Sequence, residues 1–132
     1  QIYSNFYGTP KGPVMKYLEE GKDVILEIEM QGARQVKEMY PEAVLIFVLP
    51  PSLEELRNRL TTRGTETQEQ VDERLSTSFE EIKQVKDYNY FIFNENNKTT
   101  ESAMIIENLI VAEKNKASRY EKAIIKKFEE EL

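Results

Sequence analysis

The chain has 132 residues and a formal charge of −6, with 18 basic side chains against 24 acidic ones. That field repels polyanions, so nucleic acid is excluded as a partner unless a local basic patch works against it. Cysteine and histidine are both absent, which excludes a disulfide framework, thiolate metal centres and histidine acid–base chemistry, and suits a cytoplasmic protein. No apolar run approaches the roughly 20 residues of a membrane helix, and no signal-peptide pattern is visible. The length fits one domain or part of one. The opening "QIYSNFYG" has no methionine, so a chain that starts partway through a protein is expected.

Residues 12–21 predict a helix with Val14, Tyr17 and Leu18 on one side and Gly21 as its stop. Asp23–Met30 predicts a strand, and Gln31-Gly32 opens a helix that runs to Met39 before Pro41. The run "AVLIFVLP" at 43–50 is continuously apolar, as in a strand covered on both faces of a parallel sheet. Ser52 and Glu55 have capping-box spacing ahead of a helix with Leu53, Leu56 and Leu60 inward and Gly64 as the stop. Thr67 and Gln70 open a longer helix carrying Val71, Leu75, Phe79, Ile82 and Val85. "YFIF" at 90–93 is a third short strand. A helical pattern then runs to the end and splits near Asn115, with a further capping box expected at Ser118 and Glu121. Strands alternating with helices predict an α/β fold with a parallel three-stranded core.

Two features of this pattern bear on chemistry. Side chains alternate along a strand, so Glu27 and Glu29 share a side with Ile25 near the strand's end, where open α/β sheets bind ligands. Such a pair can hold Mg²⁺ through water or accept hydrogen bonds from a base; the alternative is a solvated edge. Four of the six arginines, Arg57, Arg59, Arg63 and Arg74, fall within 18 residues. Guanidinium forks beside an apolar stripe suit phosphate, the alternative being salt bridges with Glu54, Glu55, Glu66 and Glu73. "NFYGTPKG" is rich in turn residues but does not meet the phosphate-loop pattern G-x-x-x-x-G-K-[ST], and no other stretch does.

Taken in order, "NFYGTP", "LEIEMQGA", "PPSLEELRNRLTTRGTET", "ERLS" and "FIFNEN" resemble the guanylate kinase family over residues 5–114. The resemblance implies a P-loop NTPase-type, doubly wound fold with flanking helices and a helical lid at about 57–75. It implies transfer of the γ-phosphoryl group of ATP to GMP with Mg²⁺, chemistry that relies on positioning and charge. Carried over, Tyr7 meets the GMP phosphate, Thr9 the guanine side, and Glu27 and Glu29 the GMP site, with Glu29 reaching the metal through water. Arg59, Arg63 and Arg74 become lid arginines over ATP and the transferring phosphoryl, and Asn94 lies against adenine. The expected organisation is 1–22 closing the GMP-binding segment, 23–117 core and lid, and 118–132 a helical extension.

The sequence departs from the family pattern in having no Walker A loop, and Glu29 and Glu95 stand where the family has aspartates. The 132 residues alone are therefore expected to be inactive. The competing readings are a non-catalytic guanylate kinase-like module that binds protein partners, and a fragment stable only as a homo-oligomer.

Overall fold

The computed structural model describes residues 5–6 and 9–132, with side-chain surroundings from residue 12 onward. The elements run β1 (Asn5–Phe6), β2 (Thr9–Pro10), α1 (Lys11–Glu19), α2 (Met30–Met39), β3 (Ile46–Leu49), α3 (Leu53–Arg63), α4 (Gln68–Ile82), a 3₁₀ turn (Lys83–Asp87), β4 (Tyr90–Phe93), α5 (Thr99–Lys114) and α6 (Ala117–Glu129). They form two compact units, one of residues 1–46 with 87–90 and the other of residues 47–86 with 91–132.

In the first unit, β1 and β2 form a short antiparallel ladder pairing Asn5 with Pro10 and Phe6 with Thr9. Helix α1 ends where Gly21 takes φ +82°, letting the Gly21 and Lys22 amides donate back to Leu18 and Tyr17. Residues 24–30 alternate as a strand does: Val24, Leu26, Ile28 and Met30 are half-buried, while Ile25, Glu27 and Glu29 are exposed. They nevertheless join no ladder among the described residues, so the described parallel sheet has two strands where three were expected. Alternation comes from side-chain burial and a ladder from backbone pairing; only the first is met here. Helix α2 buries Gly32, Ala33 and Val36. Its Lys37 donates from Nζ to the Ala43 carbonyl at 2.6 Å, and the Leu45 amide donates to Asn89 Oδ1 at 2.8 Å.

The strands β3 and β4 are hydrogen-bonded neighbours. Tyr90 N donates to Leu45 O, and Asn94 N to Leu49 O; both chains advance together, so the pair is parallel. Leu49 and Ile92 are buried, but Val48, Phe91 and Phe93 are exposed. The expectation that 43–50 is covered on both faces is therefore corrected: a two-stranded sheet with one packed face leaves alternate side chains outside. In the second unit α3 packs on α4 around Leu60, Val71 and Leu75, with Leu56 against them and Val71 only 2% exposed.

The C-terminal split falls where the sequence put it, at Asn115, but Ser118 does not cap. It lies inside α6, whose N-cap position is Lys116 with no side-chain bond; the junction is held instead by Arg119 Nε donating to Glu113 Oε2 at 2.7 Å. Phe79 belongs to α4 yet is exposed, and Val85 falls in the 3₁₀ turn after α4.

Candidate functional site

The helical hairpin α3–α4 carries the clustered arginines, and its ends are fixed by local chemistry. Ser52 Oγ accepts from the Glu55 amide at 3.0 Å at the start of α3. Gly64 stops the helix with φ +65°, a conformation glycine adopts without cost from a β-carbon. At α4 the box closes in both directions: the Gln70 amide donates to Thr67 Oγ1 at 3.2 Å, and the Thr67 amide to Gln70 Oε1 at 2.8 Å. Leu56, Leu60, Leu75 and Val71 turn inward, while Leu53, expected inward, is exposed at the first turn of α3; Arg57, Arg63 and Arg74 lie on the outer faces.

Their environments differ. Arg57 Nη1 donates to Asp72 Oδ1 at 2.9 Å, a bridge between the two helices of the hairpin that makes this arginine a strut. Arg63 is 64% exposed in its side chain and stands 3.9 Å from Glu66, a loose pair at the helix end. Arg74 is exposed and has no ion pair or hydrogen bond among the described residues. Arg63 and Arg74 thus present guanidinium groups that an incoming anion can take without breaking a tight pair.

Arg59 is half-buried and held from two sides. Its Nη2 donates to the Asn94 carbonyl at 2.7 Å, and its Nε lies 3.4 Å from Glu55 Oε1. Glu55 Oε1 also accepts from Asn96 Nδ2 at 2.7 Å. The loop after β4 closes on itself here: Asn97 takes φ +60°, which asparagine tolerates, and Lys98 Nζ pairs with Glu95 Oε2 at 2.7 Å. Two residues assigned by resemblance to the ATP side, Arg59 and Asn94, are therefore in direct contact.

Thr9, Glu27 and Glu29 belong to the other unit. Tyr7 lies outside the described residues; Thr9 is placed in β2. Glu27 and Glu29 are both exposed on the same side, with no partner among the described residues. Glu29 occupies the N-cap position of α2 with extended backbone (φ −71°, ψ 165°), but its side chain makes no capping bond. Its carboxylate is left free at the positive end of a helix dipole. No group of three or more acidic side chains converges among the described residues.

The salt bridges that the sequence offered as the alternative reading are met at Glu55 with Arg59 and at Glu66 with Arg63; sequence reasoning missed Asn96 and Asp72. The contacts that matter for the hairpin and the loop join Asp72 and Asn96 to partners 15 and 41 residues away, although Asp72 Oδ1 also accepts from Gln68 Nε2 within its own helix.

Helices together with a small parallel strand pair make the described residues a mixed α/β arrangement, the class to which nucleotide-binding α/β domains belong. The chain belongs to the guanylate kinase family: the family model described as Guanylate kinase matches residues 1–113. Among curated proteins it is similar to the guanylate kinase of Clostridioides difficile (strain 630), 64% identical over 132 residues, covering 100% of this chain and 63% of the relative. It is similar also to guanylate kinases of Clostridium tetani, 47% identical over 125 residues (95% of this chain, 59% of the relative), and Caldanaerobacter subterraneus subsp. tengcongensis, 46% identical over 132 residues (100% and 63%). The chain thus spans about three-fifths of the length of these relatives.

Proposed function

We propose that this chain is the C-terminal portion of an ATP:GMP phosphotransferase, a cytoplasmic guanylate kinase. In the reaction the bond from the γ-phosphorus to the β–γ bridging oxygen of ATP breaks and a phosphate oxygen of GMP bonds to that phosphorus, giving ADP and GDP. The observation that carries this reading is the pinned α3–α4 hairpin, with Arg74 unpartnered among the described residues and Arg63 loosely paired on its surface, in a chain of this family. Arg63 and Arg74 neutralise charge on the transferring phosphoryl. Arg59 and Asn94 form the ATP side, Asn94 against adenine. Tyr7 and Thr9 bind GMP, Glu27 and Glu29 face its base, and Glu29 reaches through water the Mg²⁺ that arrives with ATP.

In this reading residues 23–29, whose side chains alternate, are the third strand of a doubly wound parallel core. Residues 1–22 close the GMP segment, 23–117 hold the core and a lid at about 57–75, and 118–132 extend it as a helix. The 132 residues contain no G-x-x-x-x-G-K-[ST] run and do not turn over by themselves.

The test is a coupled ADP-release assay on the intact gene product and on the 132 residues alone. GMP-dependent ADP release by the first and none by the second is expected. No turnover by the intact gene product returns the chain to the protein-binding reading, and turnover by the 132 residues overturns the need for the phosphate loop.

A further inference from the structure

Glu55 has the spacing of a capping residue but its carboxylate is used elsewhere. At α4 the equivalent side chain, Gln70, turns back to accept from the N-cap amide of Thr67. At α3 only half of that box forms: Ser52 Oγ accepts from the Glu55 amide, while Glu55 Oε1 accepts from Asn96 Nδ2 and faces Arg59 Nε. A capping bond is thus forgone in favour of two contacts with groups far along the chain or a turn away. Arg59 Nε is buried and makes no hydrogen bond, so the carboxylate 3.4 Å away is the charge that compensates it. The other end of the same guanidinium donates to Asn94 O, two residues before the amide that donates to Glu55. Glu55, Arg59, Asn94 and Asn96 therefore close a ring between the root of α3 and the loop after β4.

We propose that Glu55, itself steadied by the Asn96 side chain, is a positioning residue for the ATP side of the site, acting through Arg59. The inference rests on the phosphotransferase reading above. A guanidinium hydrogen-bonded at Nη2 and faced by a carboxylate 3.4 Å from Nε is restricted in plane and height relative to the Asn94 loop, and loses fewer rotamers when nucleotide arrives. Glu55 touches neither nucleotide; it sets where Arg59 is found.

The test uses the intact gene product with Glu55→Gln, which keeps shape and removes charge, and Asn96→Ala as a second, milder variant. Steady-state kinetics with ATP and GMP varied separately should show KM for ATP raised roughly ten-fold by Glu55→Gln, and KM for GMP changed less than about two-fold. In an Arg59→Ala background the same substitution should change KM for ATP less than about two-fold, because its route of action is gone. Asn96→Ala should move KM for ATP in the same direction by a smaller factor. Independently of turnover, the Arg59 Nε–H resonance should be resolved and slow to exchange in the parent, and averaged with the exposed arginines in Glu55→Gln. An unmoved Arg59 resonance, an unchanged KM for ATP, or a full effect persisting without Arg59 overturns the proposal. Absence of GMP phosphorylation by the parent defeats the functional reading instead, and the resonance still decides whether Glu55 holds Arg59.

Discussion

The Arg59 guanidinium donates from Nη2 to the backbone carbonyl of Asn94 at 2.7 Å, joining α3 to the loop that follows β4. A backbone carbonyl is a partner that no substitution at position 94 removes, so the contact reports on Arg59 alone. Arg59→Ala should therefore destabilise the fold by about 1 kcal/mol, the usual net worth of such a bond at a half-exposed site. A urea titration with unchanged slope and a lowered midpoint is the expected result. In the intact gene product the same change should weaken ATP more than GMP.

Gly64 ends α3 at φ +65°, with open space where a β-carbon would stand. The cost of Gly64→Ala is then conformational and not steric, about 1 kcal/mol. Equilibrium unfolding should show that loss, and Gly64→Asn should recover part of it, since asparagine accepts this backbone region more readily. A neutral Gly64→Ala would mean that the turn between the helices rearranges at no cost.

Much of this fold was legible because the signals are local. Capping at Thr67, the glycine stop at 64 and the break at Asn115 all depend on residues within a few positions of one another. Ser118 misled because a capping pattern inside a continuous helix reads the same as one at its start. The third strand was legible as alternation, yet a ladder depends on what lies alongside, which the stretch itself does not encode. The arginine cluster was visible as a cluster. The pairing of Arg59 with Glu55 one turn away was among those the sequence offered, but the roles of Arg57 and Arg59 depended also on Asp72 and Asn94, brought in by tertiary packing.

Arg74 offers the cleanest separation of stability from chemistry. It is exposed and has no partner among the described residues, so Arg74→Ala should leave unfolding within about 0.5 kcal/mol of the parent. In the intact gene product it should lower kcat by roughly 10²-fold if the guanidinium meets the transferring phosphoryl. Equal kcat in parent and variant would leave this arginine without a role in transfer.

Lys98 carries the pH-dependent term. Its side-chain hydrogen bond with Glu95, then the charge of that carboxylate, hold its ammonium above the ordinary value of 10.5. A folded-state pKa above the unfolded one stabilises fully below the unfolded value and stops doing so as pH rises through the folded value. The pair is solvent-exposed, so the effect is small and screened by salt. An NMR titration of the Lys98 ammonium should give a midpoint above 10.5 in the parent and a lower one in Glu95→Gln.

Glu29 sits at the N-cap of α2 without capping it, and this joins the fold to the proposed chemistry. Aspartate is a favoured N-cap because its short side chain brings the carboxylate back onto the first free amides; glutamate has one methylene more. Glu29→Asp should therefore stabilise the fold by roughly 0.5–1 kcal/mol, measured as a raised unfolding midpoint. Glu29→Gln keeps the length and removes the charge from the helix end, and should lower kcat/KM for GMP roughly ten-fold in the intact gene product. If both variants leave activity untouched, the exposed pair Glu27 and Glu29 is a solvated face. If only Glu29→Gln impairs it, a free carboxylate is needed there, whatever its reach. If Glu29→Asp impairs it while stabilising the helix, the capping aspartate has been drawn away from substrate, and the longer side chain is what keeps the charge available.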